Sequence, residues 1–178
     1  MKKVLIVVDM QNDFVTGSLG TKEAQEIVPN IKHKIDEYLK CGDEVFFTCD
    51  THYEDYLDTL EGQMLPVKHC IYKTEGWEIV PELRKIDLLH CDQVENINKN
   101  TFGYTNWYEQ LPYKDTSLEI ELCGVCTDIC VISNALILRA IYPNATIFVD
   151  AYHCAGTTPE KHEAALEVMK SCQIEVIE

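Results

Sequence analysis

The chain has 178 residues, of which 46% are hydrophobic and 25% charged, and a formal net charge of −15. That length supports one substantial core in a single domain, and the composition is that of a soluble globular protein. The acidity and the lack of a basic cluster exclude a nucleic-acid partner, no apolar run is long enough to cross a bilayer, and a small neutral or cationic ligand suits the field better.

The first predicted element is a continuous aliphatic run over residues 3–8, read as a strand buried on both faces and ending at Asp9. Between Met1-Lys2-Lys3 and Asp9 there are only five apolar residues, too few for a signal peptide, so the odd number of cysteines, nine, is expected as mostly free thiols in a reducing cytoplasm. A helix follows over about 22–40, with Ile27, Ile31, Ile35 and Leu39 in one stripe and Cys41-Gly42 as its end. A second strand near 43–49 leads into Cys49-Asp50-Thr51-His52, and the stretch 53–73 has little periodicity, which in a compact domain marks a functional loop. Helices near 77–85 and 106–111 flank a weaker strand near 93–97 that runs into Asn98-Lys99. An apolar strand at 117–123 turns at Gly124, with Thr127 or Asp128 as cap, into a helix over 129–141 that is apolar almost all round, as a buried helix should be. A strand near 145–149, a last helix opened by Thr158 as cap and Pro159 at its first position, and a strand near 173–177 complete the chain. The alternation implies βαβ units and therefore an α/β fold around a mostly parallel six-stranded sheet.

In such sheets ligands bind beyond the carboxyl ends of the strands, where Asp9, Asp50, His52, Lys99 and Cys130 all fall. Asp50 and His52 share one face of an extended segment, and His69 supplies a second imidazole. One carboxylate and two imidazoles suit zinc, iron or manganese, with Glu61 as a fourth candidate ligand. Asp9 ends a buried strand and needs a partner, or else caps the Gln11-Asn12 turn. Cys130 stands in the first turn of a helix, where N–H groups and the dipole favour thiolate and can hold an oxyanion; a buried structural cysteine is the alternative. If Asp9, Lys99 and Cys130 meet, the lysine lowers the thiol pKa and the carboxylate takes its proton, giving an activated nucleophile. Cys123, Cys126 and Cys130 also form a C-x2-C-x3-C run, but a strand cysteine and a helix cysteine point apart, which disfavours a shared metal.

These segments resemble the isochorismatase-like cysteine hydrolases, and among them the nicotinamidases. The likeness rests on Val7-Val8-Asp9-Met10-Gln11-Asn12-Asp13-Phe14, Thr48-Cys49-Asp50-Thr51-His52, Pro66-Val67-Lys68-His69-Cys70, Lys99-Asn100-Thr101-Phe102 and Gly124-Val125-Cys126-Thr127-Asp128-Ile129-Cys130-Val131, in that order over nearly the whole chain. It implies a three-layer α/β/α sandwich and a triad of Asp9, Lys99 and Cys130. It further implies a non-proline cis peptide before Cys126 and an oxyanion hole from the backbone N–H groups of Cys126 and Cys130. One divalent metal ion, zinc first and iron or manganese next, is implied at Asp50, His52 and His69, with Glu61 a candidate fourth ligand, where in nicotinamidases it holds the pyridine nitrogen. Cys130 then attacks the carboxamide carbon, Asp9 protonates the departing ammonia, and water releases nicotinate from the thioester. Two departures bear on the substrate: Leu65 stands where many nicotinamidases carry an aromatic residue, and Val67-Lys68 lengthens the second metal segment by one residue. The expected pocket is Phe14, Leu65, Phe102, Tyr104 and Val125. The expectation is a cytoplasmic, homo-oligomeric amidohydrolase of nicotinamide, with a related amide or ureido hydrolase, or a catalytically silent binding protein on the same fold, as alternatives.

Overall fold

The computed structural model describes residues 1–89 and 92–178. The N-terminal aliphatic run forms β1 (Lys2–Val8), and its last five side chains are fully shielded from solvent. After the short helix α1 (Asn12–Val15), α2 (Lys22–Cys41) begins at Thr21, whose hydroxyl accepts the Ala24 N–H at 3.0 Å, and stops at Gly42. The Ile27, Ile31, Ile35 and Leu39 stripe is buried, as the spacing predicts. Next come β2 (Glu44–Asp50), α3 (Leu60–Met64), α4 (Pro81–Leu89) and β3 (Val94–Lys99). The second half contains α5 (Trp107–Gln110), β4 (Leu118–Val125), α6 (Ile132–Ile141), β5 (Thr146–Ala155), α7 (Pro159–Ser171) and β6 (Glu175–Ile177).

The six strands form one sheet in the order β3-β2-β1-β4-β5-β6, and every neighbouring pair is parallel. Right-handed crossovers place α2 and α4, which touch each other, on one face, and α6 and α7, likewise in contact, on the other, giving three layers. The order of connection reverses between β1 and β4, and the crevice at their carboxyl ends is where ligands bind in such sheets.

Several boundaries differ from the sequence expectation for physical reasons. The helix expected from residue 77 begins at Pro81, because 75–77 form a 3-10 turn and Ile79 bridges to Gln11. β5 extends well past residue 149: the ladder shifts between Leu122↔Val149 and Gly124↔Cys154, and the polar Asp150 and His153 in the irregularity hide the continuation. The segment 53–73 carries a 3-10 turn (Tyr56–Asp58), α3 and a bridge from His52 to Ile71. The helix expected over 129–141 divides into a π-turn at Thr127–Val131 followed by α6, and it is not buried all round: Asn134, Ala135 and Leu138 are covered, whereas Leu136 reaches solvent.

Candidate active site

Four strand ends build the site. Asp9 follows β1 with a positive φ of 49°, and Asp50 and Lys99 are the last residues of β2 and β3. Cys130 lies in the π-turn after β4. Between β4 and that turn, Gly124 sits at φ 110° with the Val8 carbonyl oxygen 2.2 Å from where a Cβ would be, so only glycine lets the two strand ends close up. The Val125–Cys126 peptide is cis, as the resemblance implies.

Asp9, Lys99 and Cys130 meet in the crevice. The Lys99 ammonium is 2.7 Å from Asp9 Oδ2, 3.8 Å from Cys130 Sγ and 3.7 Å from Asp50 Oδ1. The Thr48 hydroxyl donates to Asp9 Oδ1 at 2.7 Å, and the Asp9 N–H donates to the Thr48 carbonyl at 3.1 Å. Burial raises the Asp9 pKa against the pull of Lys99. Burial alone would lower the Lys99 pKa, but the carboxylate of Asp9 holds it above its ordinary value. For Cys130 the expectation of a lowered pKa is reversed. Complete burial and the neighbouring Asp9 push the thiol well up, and Lys99 only partly opposes them.

The expected cap is also replaced. Neither Thr127 nor Asp128 bonds the first turn: the Thr127 hydroxyl pairs with His162 Nδ1 at 2.8 Å, and Asp128 accepts the Thr157 N–H at 2.7 Å and its hydroxyl at 2.6 Å. Both side chains tie the turn to the segment entering α7 instead.

Beside the trio, Asp50, His52, Glu61 and His69 each bring one donor atom within 4.8 Å of the others, close enough together to serve as ligands of one metal ion. His52 Nε2 lies 3.0 Å from Asp50 Oδ2 and 3.6 Å from Glu61 Oε1, and His69 Nε2 lies 3.6 Å from Asp50 Oδ2. His69 Nδ1 donates to the Val67 carbonyl at 2.8 Å, which leaves Nε2 free to coordinate. Val67, in the lengthened segment, supplies the carbonyl that orients the His69 ring. Three carboxylates, from Asp9, Asp50 and Glu61, face a single buried lysine, and a divalent cation would offset the excess negative charge. Burial acts to raise the Asp50 pKa, but hydrogen bonds to His52 and His69 bring it well below the carboxylate range. Cys123 and Cys126 are not in this group: Cys123 is sealed within β4 near Cys154.

A cavity of about 330 Å³ is lined by Cys130 and Cys126, by Asp50, Glu61 and His69 of the metal group, and by Phe14, Leu65, Phe102 and Ile129. Of the expected pocket residues, Tyr104 and Val125 do not line it. Tyr104 turns away to pack edge-on against Trp107 at 5.3 Å, and Val125 is sealed in β4. Leu19, Thr21, Ile129 and Thr157 line it unanticipated, because loops far apart in the chain bring them there.

Residues the sequence reading passed over support the site from behind. Gln11 is fully buried; its Oε1 accepts the Asp50 N–H at 2.7 Å and its Nε2 donates to the Asp50 carbonyl at 2.8 Å, so it clamps the end of β2. Asp13 Oδ2 accepts the Cys70 N–H at 2.8 Å, anchoring the residue after His69. Both belong to the N-terminal motif, and the need to pair buried polar groups is the signal that could have assigned them.

Comparison with known proteins agrees with this geometry. The isochorismatase domain model matches residues 3–178. A nicotinamidase of Schizosaccharomyces pombe is 29% identical, covering 97% of this chain and 91% of that protein. The crystal structure of nicotinamidase PncA from Bacillus subtilis superposes with a TM-score of 0.87 at 30% identity over the whole of both chains. The structure of a pyrazinamidase of Pyrococcus horikoshii in complex with zinc does so at 0.79 and 26% identity, covering 100% of this chain and 99% of that one. With the parallel α/β sheet and the residues gathered at its carboxyl ends, the match along nearly its full length shows that the chain belongs to the isochorismatase domain family.

Proposed function

We propose that the chain is a metal-dependent cysteine amidohydrolase that converts nicotinamide and water to nicotinate and ammonia. One observation carries the reading: an ammonium at 2.7 Å from a buried carboxylate and 3.8 Å from a thiol, Cys130, that lines a cavity of about 330 Å³. That volume falls in the range of small-molecule sites.

In this reading the carboxamide carbon lies against Cys130 Sγ. The thiol proton passes to Asp9 as sulfur attacks, and the raised pKa of the buried Asp9 carboxyl suits it to receive and return a proton. Lys99 balances the negative charge that moves between Asp9 and the sulfur. The N–H groups of Cys126 and Cys130 are assigned to the oxyanion. Asp9 returns the proton to the departing ammonia, leaving a thioester on Cys130. Asp9 then draws a proton from water, which attacks the thioester carbon, and nicotinate leaves as the thiol re-forms. Asp50, His52, His69 and Glu61 would hold a divalent ion, zinc by analogy with the Pyrococcus horikoshii complex, which supplies a Lewis acid for the pyridine nitrogen. Phe14 and Phe102 are the aromatic walls, so ring recognition falls to them where Leu65 replaces an aromatic side chain.

An ammonia-release assay over nicotinamide, pyrazinamide, N-carbamoyl compounds and biuret tests the reading, with Cys130→Ala as control. Release from nicotinamide, abolished in the folded Cys130→Ala protein, is expected. Release confined to a ureido compound would transfer the reading to a related amidase, and undiminished release by Cys130→Ala would remove the nucleophile.

A further inference from the structure

Behind the nucleophile lies a fully buried amide, Asn134 on α6, that uses its whole hydrogen-bonding capacity. Its Nδ2 donates to the Cys130 carbonyl at 2.8 Å and to the Phe102 carbonyl at 3.4 Å. Its Oδ1 accepts the Tyr104 N–H and the Trp107 Nε1–H, both at 3.0 Å. These four partners belong to separate parts of the molecule. Cys130 carries the sulfur; Phe102 and Tyr104 belong to the loop leaving Lys99, and Phe102 is a wall of the cavity; Trp107 is a sealed core ring of α5.

We propose that Asn134 is the positioning residue that keeps the nucleophile in register with the lysine and the pocket wall. Cys130 stands in a π-turn, and Lys99 ends an edge strand with a strand partner on one side only. Sulfur and ammonium thus come from two separate segments, and Asn134 is bonded to the turn that carries one and to the loop that follows the other. An independent feature shows the same docking: at Gly103, between the two loop residues that Asn134 grips, a Cβ would lie 2.5 Å from Ile137 Cδ1 and 3.1 Å from the Ser133 carbonyl oxygen. The loop thus lies close against α6, where a side chain at this position would need Ile137 to move and the backbone to give by a few tenths of an ångström.

This inference rests on Cys130 being the nucleophile, and two variants separate it from that reading. Asn134→Leu keeps the side-chain heavy-atom count and branching and removes all four bonds. Asn134→Ser returns a hydroxyl able to bond the carbonyl one turn back, that of Cys130, but not the loop. Leu138→Ala, in the same helix and equally buried, serves as the destabilised control. Turnover per folded molecule is measured by ammonia release, folding by circular dichroism and thermal melting, and nucleophile reactivity by the rate of Cys130 alkylation with iodoacetamide. For Asn134→Leu, kcat is expected to fall about 10- to 100-fold with a smaller change in KM, and alkylation to change in parallel. Asn134→Ser should recover part of kcat, and Leu138→Ala should lose stability with kcat per folded molecule retained. Equal kcat and alkylation rates in Asn134→Leu, Asn134→Ser and the wild type would overturn the proposal, as would losses that merely follow the melting temperature as in Leu138→Ala. If Asn134→Leu does not fold, Trp107→Phe, which deletes one donor and leaves a smaller aromatic ring, must lower kcat per folded molecule by more than Leu138→Ala does, or the proposal fails. Full turnover by Cys130→Ala would instead refute the nucleophile itself.

Discussion

Lys99 is an ammonium with 4% of its surface exposed, held against Asp9 and near Asp50. A charge so placed is costly to bury and more costly to leave alone, because the partner's charge then has no counterion in a low-dielectric surrounding. Lys99→Met should therefore destabilise the protein by about 3–5 kcal/mol, whereas the double variant Asp9→Asn/Lys99→Met should recover part of that loss. Urea unfolding of the two single variants and the double variant closes the cycle; losses that simply add would show that the two groups do not act as a pair. Cys130 makes a related point. Its place near a helix start and a lysine predicts a lowered pKa, but its surroundings are so completely closed that desolvation outweighs both influences.

At the scale of elements, the candidate metal group combines a strand end with a loop. Asp50 and His52 are placed by β2 and its continuation, and their common face follows from strand alternation. His69 and Glu61 come from the 53–73 segment, and the rings of Tyr56, His52 and His69 pack there within 5.0 Å of one another. His69 is sealed whereas Glu61 is partly open, so their removal should have unequal consequences. Metal analysis of the purified protein should find about one divalent ion per chain, and His69→Ala should lose it on dialysis. Glu61→Gln should keep the ion with affinity lowered about 10-fold. Metal content in His69→Ala equal to that of the wild type would show that this cluster is not the site. The same segment explains the altered pocket wall: Val67 turns its carbonyl to His69, and Leu65 is left half-exposed at the mouth of the cavity.

For the molecule as a whole, stability is reinforced by a second buried charge network, on α2, β4 and β5. Lys34 pairs with Glu121 and lies 3.0 Å from Asp150, Tyr38 donates to Glu121 at 2.6 Å, and His153 Nδ1 is 2.9 Å from Asp150. Burial acts to raise the Asp150 pKa, and hydrogen bonds to His153 and Lys34 outweigh it and bring it to about 2 from 3.8. A folded-state pKa below the unfolded one means stability that is present above the unfolded value and lost as pH falls through the folded one. Asp150→Asn should accordingly cost about 2 kcal/mol at neutral pH, with the gap to wild type closing between about pH 4 and pH 2 in urea titrations. A gap independent of pH would assign the loss to packing instead of charge. Among the described residues no helix is long and apolar enough to cross a membrane.

The sequence by itself determined the periodic parts of this protein: the buried aliphatic strands, the α2 stripe, the Thr158-Pro159 start of α7, and the strand-end placement of Asp9, Asp50, Lys99 and Cys130. Those features are local, since hydrophobic repeats and turn chemistry act over a few residues and leave a direct trace in residue order. Only the tertiary structure decided that Tyr104 faces Trp107 rather than the cavity, that Thr127 and Asp128 bind the first turn of α7 and its entry rather than cap a helix, and that Gln11 and Asn134 bond the end of β2 and the Cys130 turn. It also reversed the direction expected for the Cys130 pKa. Each of these depends on which distant groups fill the remaining hydrogen-bonding and solvation needs of a buried atom, and that is settled by packing between segments with no periodic imprint on the chain.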